Sequence, residues 1–416
     1  MIDEQLFDRI ARRIDAYEKD MVSLQIELTA IPAIAPESGG DGEMKKAIFL
    51  GDVLTRLGMT DLEIIDAPDE RVSSGRRPNI IVRYPGPAAS STEQTWIISH
   101  MDIVPPGEPG LWRHDPYHAY VQDGYIIGRG VVDNQQDLVA SLYALKACYD
   151  EGLQPARTPG LVFVSDEETA SRWGLAYLLR HEQNPFRKTD LICVPDSGNE
   201  EGTLLEIAEK SILWVHFRTL GKQCHGSKPY QGINAFLAAS HLAVRLYAAL
   251  HERFPASNPL FDPPLSTFEP TRKDANVPNV NTIPGEDNFY MDCRVLPLYD
   301  LSKVKQVMRE VADAIEKEFG VTIGISSAQE VQAPEATDPQ SPIVTFLKQA
   351  IDRVYRVQAT PQGIGAGTVA AYLRREGYPV AVWCRTTPTA HQPNENCLIV
   401  NMMGNAKVFA HLFLQK

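Results

Sequence analysis

The chain has no apolar run approaching the ~20 residues of a membrane-spanning helix. It has no C-x-x-C pair. Its six cysteines (Cys148, Cys193, Cys224, Cys293, Cys384 and Cys397) are scattered over 416 residues. Such spacing reads as buried thiols in a reducing compartment, not as a disulfide framework. A basic stripe is missing as well: 53 acidic residues outnumber 40 basic ones, for a net charge of −13. That balance opposes a nucleic-acid partner, which needs clustered Lys and Arg. There is no G-x-S-x-G elbow, which speaks against a serine hydrolase. Residues 363–367 (GIGAG) do not open a βαβ unit, so a dinucleotide site is rejected. The first twenty residues mix charges of both signs, whereas a signal peptide has a basic start and an unbroken apolar block. The expectation is a soluble, cytoplasmic protein with no membrane partner.

What is present is an ordinary globular composition, 44% hydrophobic and 22% charged, long enough for two or three domains. Leu6, Ile10, Ile14, Tyr17, Met21, Leu24 and Leu28 keep a helical rhythm and predict one long helix over 4–32. Residues 79–84 (NIIVRY) predict a buried strand. Three further apolar runs stop at polar residues: 95–99 at His100, 161–164 at Ser165-Asp166-Glu167-Glu168, and 191–194 at Pro195-Asp196. A fourth, 379–384, precedes a loop reaching His391. Short Val/Ile-rich runs separated by helical stretches predict an α/β domain. Its sheet is mainly parallel with helices on both faces, and its ligand sites gather at the carboxyl ends of the strands. Between about 210 and 328 the pattern becomes strand, helix, strand, helix, strand, an α+β layer inserted into the first domain. The expected domains are 1–209 with 329–416, and 210–328.

The polar residues at those strand ends and in the nearby loops include His100, Asp102, Asp133, Glu167, Glu168, Asp196 and His391. Crowded carboxylates repel and turn neutral unless a cation removes the penalty. Mixed His and carboxylate donors suit zinc, cobalt or manganese. Two His with three carboxylates exceed one tetrahedral site. They fit two ions about 3.5–4 Å apart that share a bridging carboxylate.

At these residues the sequence resembles metallopeptidase family 20. The segments SHMDIV (99–104), GRGVVD (128–133), SDEET (165–169), PDSG (195–198) and AHQPNE (390–395) look like its ordered motifs. That family includes aminoacylases, acetylornithine deacetylase, succinyl-diaminopimelate desuccinylase, glutamate carboxypeptidase and dipeptidases. The resemblance implies a zinc-exopeptidase-like catalytic domain with an inserted ferredoxin-like lid and dimerisation domain. It implies His100, Asp133, Glu168, Asp196 and His391 as ligands of two divalent ions, most simply zinc, with cobalt or manganese as alternatives. Asp133 would bridge the ions, with a cis peptide after it. Glu167 would be the general base and Asp102 would orient the His100 ring. Segment 221–235 resembles the family's lid motif, which implies His225 as an oxyanion-stabilising residue that acts across a homodimer. By the same resemblance, NTIP (281–284) implies Asn281, DCR implies Arg294, and GAGT (365–368) implies Gly367 and Thr368 as substrate contacts. Two departures stand out. Asn134-Gln135-Gln136-Asp137 replaces the usual Lys-Gly pair after Asp133, and Asp196 stands where deacylases more often carry Glu. The implied activity is hydrolysis of the amide bond of a small N-acyl amino acid or a dipeptide with a free carboxylate. A dipeptidase or carboxypeptidase, a hydrolase of carbamoyl amino acids, and a non-catalytic amino-acid-binding homologue stay open.

Overall fold

The computed structural model describes residues 2–416. The chain forms two compact units. The larger comprises residues up to Ile207, Thr337–Pro361 and Thr368–Lys416, and the smaller Ala208–Ala336 with Gln362–Gly367. The smaller unit runs past residue 328 because the strand Thr322–Val331 completes its sheet.

The larger unit is built on an eight-stranded sheet. Its order is Asp61–Pro68, Arg76–Arg83, Thr158–Val164, Gln94–His100, Leu191–Asn199, Val380–Arg385, Leu204–Glu209, Thr360–Ile364. The four strands from Thr158–Val164 to Val380–Arg385 are mutually parallel. Their carboxyl ends therefore meet at one edge. The sheet is not parallel throughout: Asp61–Pro68 and Arg76–Arg83 form an antiparallel hairpin at one side.

Period-two alternation assigns the two faces of these strands. Trp96, Ile98, Val162, Val164, Ile192, Val194, Val380 and Val382 share one core with the helices Leu175–Arg180 and Ala370–Arg375. The opposite face packs on Gln136–Asp150 and Ile399–Phe413. Each of these helices has twelve buried residues, as expected of a helix that is apolar nearly all round.

The single long helix expected at the N-terminus is two, Glu4–Ala16 and Glu18–Thr29, broken at Tyr17. The Tyr17 N–H turns back to Ile14 O, and its ring packs on Tyr143 while its hydroxyl meets Asp150. These tertiary contacts override the continuous apolar rhythm.

In the smaller unit an antiparallel sheet runs Thr267–Lys273, Glu286–Val295, Ser211–Leu220, Thr322–Val331. With the helices Ala235–Arg253 and Leu301–Phe319 it makes a β-α-β-β-α-β layer. Leu213, Val215 and Phe217 meet Phe289, Met291 and Cys293 in its core. Thr267–Lys273 escapes the sequence pattern because only Phe268 is buried and Pro270 sits at a register shift, both traits of an edge strand.

Candidate metal centre

Each predicted ligand reaches the sheet edge by its own local route. His100 ends the Gln94–His100 strand, and Glu167 and Glu168 follow Thr158–Val164. Asp196 lies within Leu191–Asn199, where the pairing slips between Val382/Val194 and Cys384/Gly198. Pro195 has no N–H for the ladder, and the slip accommodates Asp196. Asp133 precedes the buried helix Gln136–Asp150 in the turn Val131–Gln135, and the Asp133–Asn134 peptide is cis. Gly130 opens this turn at φ 85°, where a Cβ would lie 2.5 Å from Ile103 Cγ2. His391 sits at φ 62° in the loop after Val380–Arg385.

The fold gathers the five predicted ligands into two groups that share one residue. His100, Asp133 and Asp196 form the first, and Asp133, Glu168 and His391 the second, with donor atoms in each group within 4.8 Å of one another. His100 Nε2 is 2.9 Å from Asp133 Oδ1 and 3.3 Å from Asp196 Oδ1. His391 Nε2 is 3.1 Å from both Asp133 Oδ2 and Glu168 Oε2. The two oxygens of Asp133 thus serve different groups.

Electrostatics shows what this cluster needs. Burial, then the Asp133 charge, pushes Glu168 up to about 7. Burial, then Asp196, holds the Glu167 carboxyl well above its ordinary range. His391 is raised to about 10 by hydrogen bonds to Asp133 and Glu168. Burial works against ionisation of Asp133, but the two imidazoles win and hold it low. The site draws positive charge to itself. Glu168 Oε1 is buried with no hydrogen-bond partner among the described residues. A mixed His/carboxylate donor set with an orphan acceptor fits divalent cations.

The hydrogen bonds that support these residues were not visible in the motifs. His100 Nδ1 is closest to the backbone oxygen of Asp102, at 2.9 Å, and 3.5 Å from its carboxylate. The Asp102 carboxylate instead accepts the N–H groups of Glu167 (3.1 Å) and Glu168 (3.0 Å). It orients the loop of the expected base more directly than the ring. Glu395 does the same for Asp133: it accepts from the Gly130, Val132 and Asp133 N–H groups and from Arg129. Asn134 donates to Pro195 O (2.7 Å) and Asp196 Oδ1 (3.1 Å). Glu395 lies inside the last motif, and its acidic type was the available signal.

The remaining expected residues lie mostly in the smaller unit. His225 is exposed and pairs across a two-residue ladder with Thr282, next to Asn281. The Arg294 guanidinium holds Asp292 at 2.7 and 3.0 Å and donates to Gly365 O. Gly367 belongs to this unit and Thr368 to the larger one.

Histidines and carboxylates gathered in two linked groups at the edge of a mainly parallel sheet are the donor set that a metallohydrolase uses. The chain belongs to the family described as Peptidase family M20/M25/M40, which its residues 96–415 match. An uncharacterized metallohydrolase of Methanococcus maripaludis is 39% identical, over 94% of this chain and 97% of its own length. A succinyl-diaminopimelate desuccinylase of Cereibacter sphaeroides is 25% identical over 90% of this chain and 93% of its own. The structure of aminopeptidase PepT from Bacillus cereus is 18% identical, covers 95% of this chain and 98% of its own, and shares the fold with a TM-score of 0.73. The protein is therefore a hydrolase of amide or peptide bonds, of a family that implies divalent metal ions. No helix among the described residues is long and apolar enough to cross a membrane.

Proposed function

We propose that this protein is a two-metal amide hydrolase. It cleaves a small N-acyl amino acid or a dipeptide that carries a free carboxylate. The observation that carries this is the split of the two Asp133 oxygens between a His100/Asp196 group and a His391/Glu168 group. His100 and Asp196 would hold one ion, His391 and Glu168 the other, and Asp133 both. Zinc is the simplest occupant, with cobalt and manganese as alternatives. When bound, such ions supply Lewis acidity and acidify water at neutral pH.

Glu167 takes the proton of the attacking water and hands it to the leaving amine. Its backbone N–H is pinned by Asp102, and its carboxyl, raised by burial, is suited to hold that proton in transit. His225 and Asn281 would meet substrate from the lid, Arg294 would bind its carboxylate, and Gly367 and Thr368 would line that end. For Arg294 this requires release from Asp292. A homodimer through the smaller unit is supported by exposed Phe236, Leu237, Val244 and Tyr247 on the helix Ala235–Arg253 and by the edge strand beside it. Six free cysteines, five of them buried, support a reducing cytoplasm.

The test is Glu167→Gln. Metal content should stay at the wild-type level while turnover on a panel of dipeptides and N-acyl amino acids falls by about 10²–10⁴-fold. Full activity with both metals bound would overturn the mechanism.

A further inference from the structure

The loop that carries Glu167 and Glu168 joins the strand Thr158–Val164 to the helix Leu175–Arg180. It holds three residues that bear a Cβ at positive φ: Asp166 at 62°, Ala170 at 91° and Ser171 at 53°. Such backbone persists only where its surroundings over-determine it. Here the surroundings are buried side chains. Four consecutive N–H groups, from Ser165 to Glu168, each donate to a side chain outside the loop. Ser165 donates to Asn79 Oδ1 (3.1 Å), Asp166 to Glu43 Oε1 (3.2 Å), and Glu167 and Glu168 to Asp102.

Asn79 differs from Glu43 and Asp102 because it grips both ends of the loop. Its Oδ1 takes the Ser165 N–H, and its Nδ2 donates to Trp173 O at 2.9 Å and to Ile65 O at 3.3 Å. The strand pairing explains why a side chain is needed here. Arg76–Arg83 pairs antiparallel with Thr158–Val164 as far as Ile80 opposite Phe163. Pro78, just beyond, has no N–H with which to continue the ladder. The ladder stops, and the fully buried Asn79 amide takes over. Pro78 O still accepts the Ser165 hydroxyl at 2.6 Å. One end of the loop offers a donor and the other an acceptor. A carboxylate only accepts and an ammonium only donates, whereas an amide does both at once.

We propose that Asn79 is a positioning residue for the general base. It acts through the backbone of Ser165 and Trp173, fixing residues 165–173 at both ends and thereby the place of the Glu167 carboxyl. This rests on the amide-hydrolase reading above and adds a residue to its machinery.

The test compares wild type with Asn79→Ala as full-length chains loaded with zinc to the same content. Hydrogen exchange read by mass spectrometry should quicken about tenfold or more in peptides covering 165–173 and stay unchanged in peptides covering 211–220. Alanyl-alanine and N-acetyl-alanine stand for the two substrate classes. On whichever is turned over, kcat should fall about tenfold or more with KM within about twofold, the mark of a displaced base and not of lost binding. The same substitution placed on Glu167→Gln should cost less than about twofold, because no base is left to misplace. Should Asn79→Ala fail to fold, Asn79→Ser carries the same comparisons with a hydroxyl in place of the amide. Unchanged exchange in 165–173, or a kcat loss that multiplies with that of Glu167→Gln, would overturn the positioning role. So would exchange that quickens throughout the chain, which marks a general loss of stability. A wild type that turns over neither substrate would overturn the hydrolase reading instead, and exchange alone would then decide the tie.

Discussion

The Asp133 carboxylate is placed by a residue 262 positions later in the chain, Glu395, which accepts its N–H at 3.1 Å. Glu395 and Arg129 form a buried ion pair at 2.5 Å. A buried pair is weak evidence of stabilisation, but breaking one leaves a lone buried charge. Glu395→Gln is expected to cost about 3–5 kcal/mol in urea denaturation and to weaken metal binding. Unchanged metal content in that variant would deny Glu395 its hold on the loop. His411 offers a residue-scale test of pH dependence. It is buried, and desolvation lowers it to about 4. An unfolded histidine titrates near 6.5, so between about pH 6.5 and 4 the unfolded chain binds the extra proton. This contribution is complete above pH 6.5 and is lost as pH falls through that window. In metal-free protein, His411→Phe should flatten the decline by up to about 3 kcal/mol relative to wild type. Parallel pH curves for the two proteins would sink the assignment.

At the scale of elements, each candidate ligand depends on where a strand or helix stops. The slip at Pro195 places Asp196 beside His100, and it requires Gly198, whose added Cβ would lie 1.8 Å from Cys384 O. Gly198→Ala must push two parallel strands apart. A loss of about 1–3 kcal/mol in stability is expected, with a fall in bound metal measured by elemental analysis. Normal metal content would show that Asp196 tolerates the shift. The element pattern was legible where strands are short and apolar: 95–99, 161–164 and 191–194 lie within observed strands, and 379–384 does so except for Pro379. It was not legible in Asp61–Pro68 or Leu204–Glu209, where acidic residues break the apolar run. Nor could periodicity reveal the break at Tyr17, because the Asp150 and Tyr143 that hold it lie on another helix.

For the whole molecule, the proposed dimer makes the smaller unit the place to test assembly. Val244 is 70% exposed on the Ala235–Arg253 helix, alongside Leu237 and Tyr247. Sedimentation of the wild type is expected to give a dimer, and Val244→Glu a monomer, by burying a charge against an apolar face. If His225 acts across that interface, the monomer should keep its metals and lose about 10²–10³-fold in turnover. A fully active monomer would confine His225 to a structural role.

By itself the sequence determined the chemistry of the cluster and the class of protein. A strand that ends in His or Asp-Glu-Glu is a local pattern, and several in order specify a sheet edge that concentrates ligands. Only the tertiary structure decided how those candidate ligands divide. Which oxygen of Asp133 faces which histidine, the Asp102 carboxylate accepting the Glu167 and Glu168 N–H groups while it stands beside the His100 ring, and the unpaired oxygen of Asn134 all depend on contacts between distant segments. A carboxylate or amide looks the same in sequence whether it binds metal, caps a loop or waits for substrate. Burial and the direction of its hydrogen bonds tell these roles apart, and both exist only once the chain has folded.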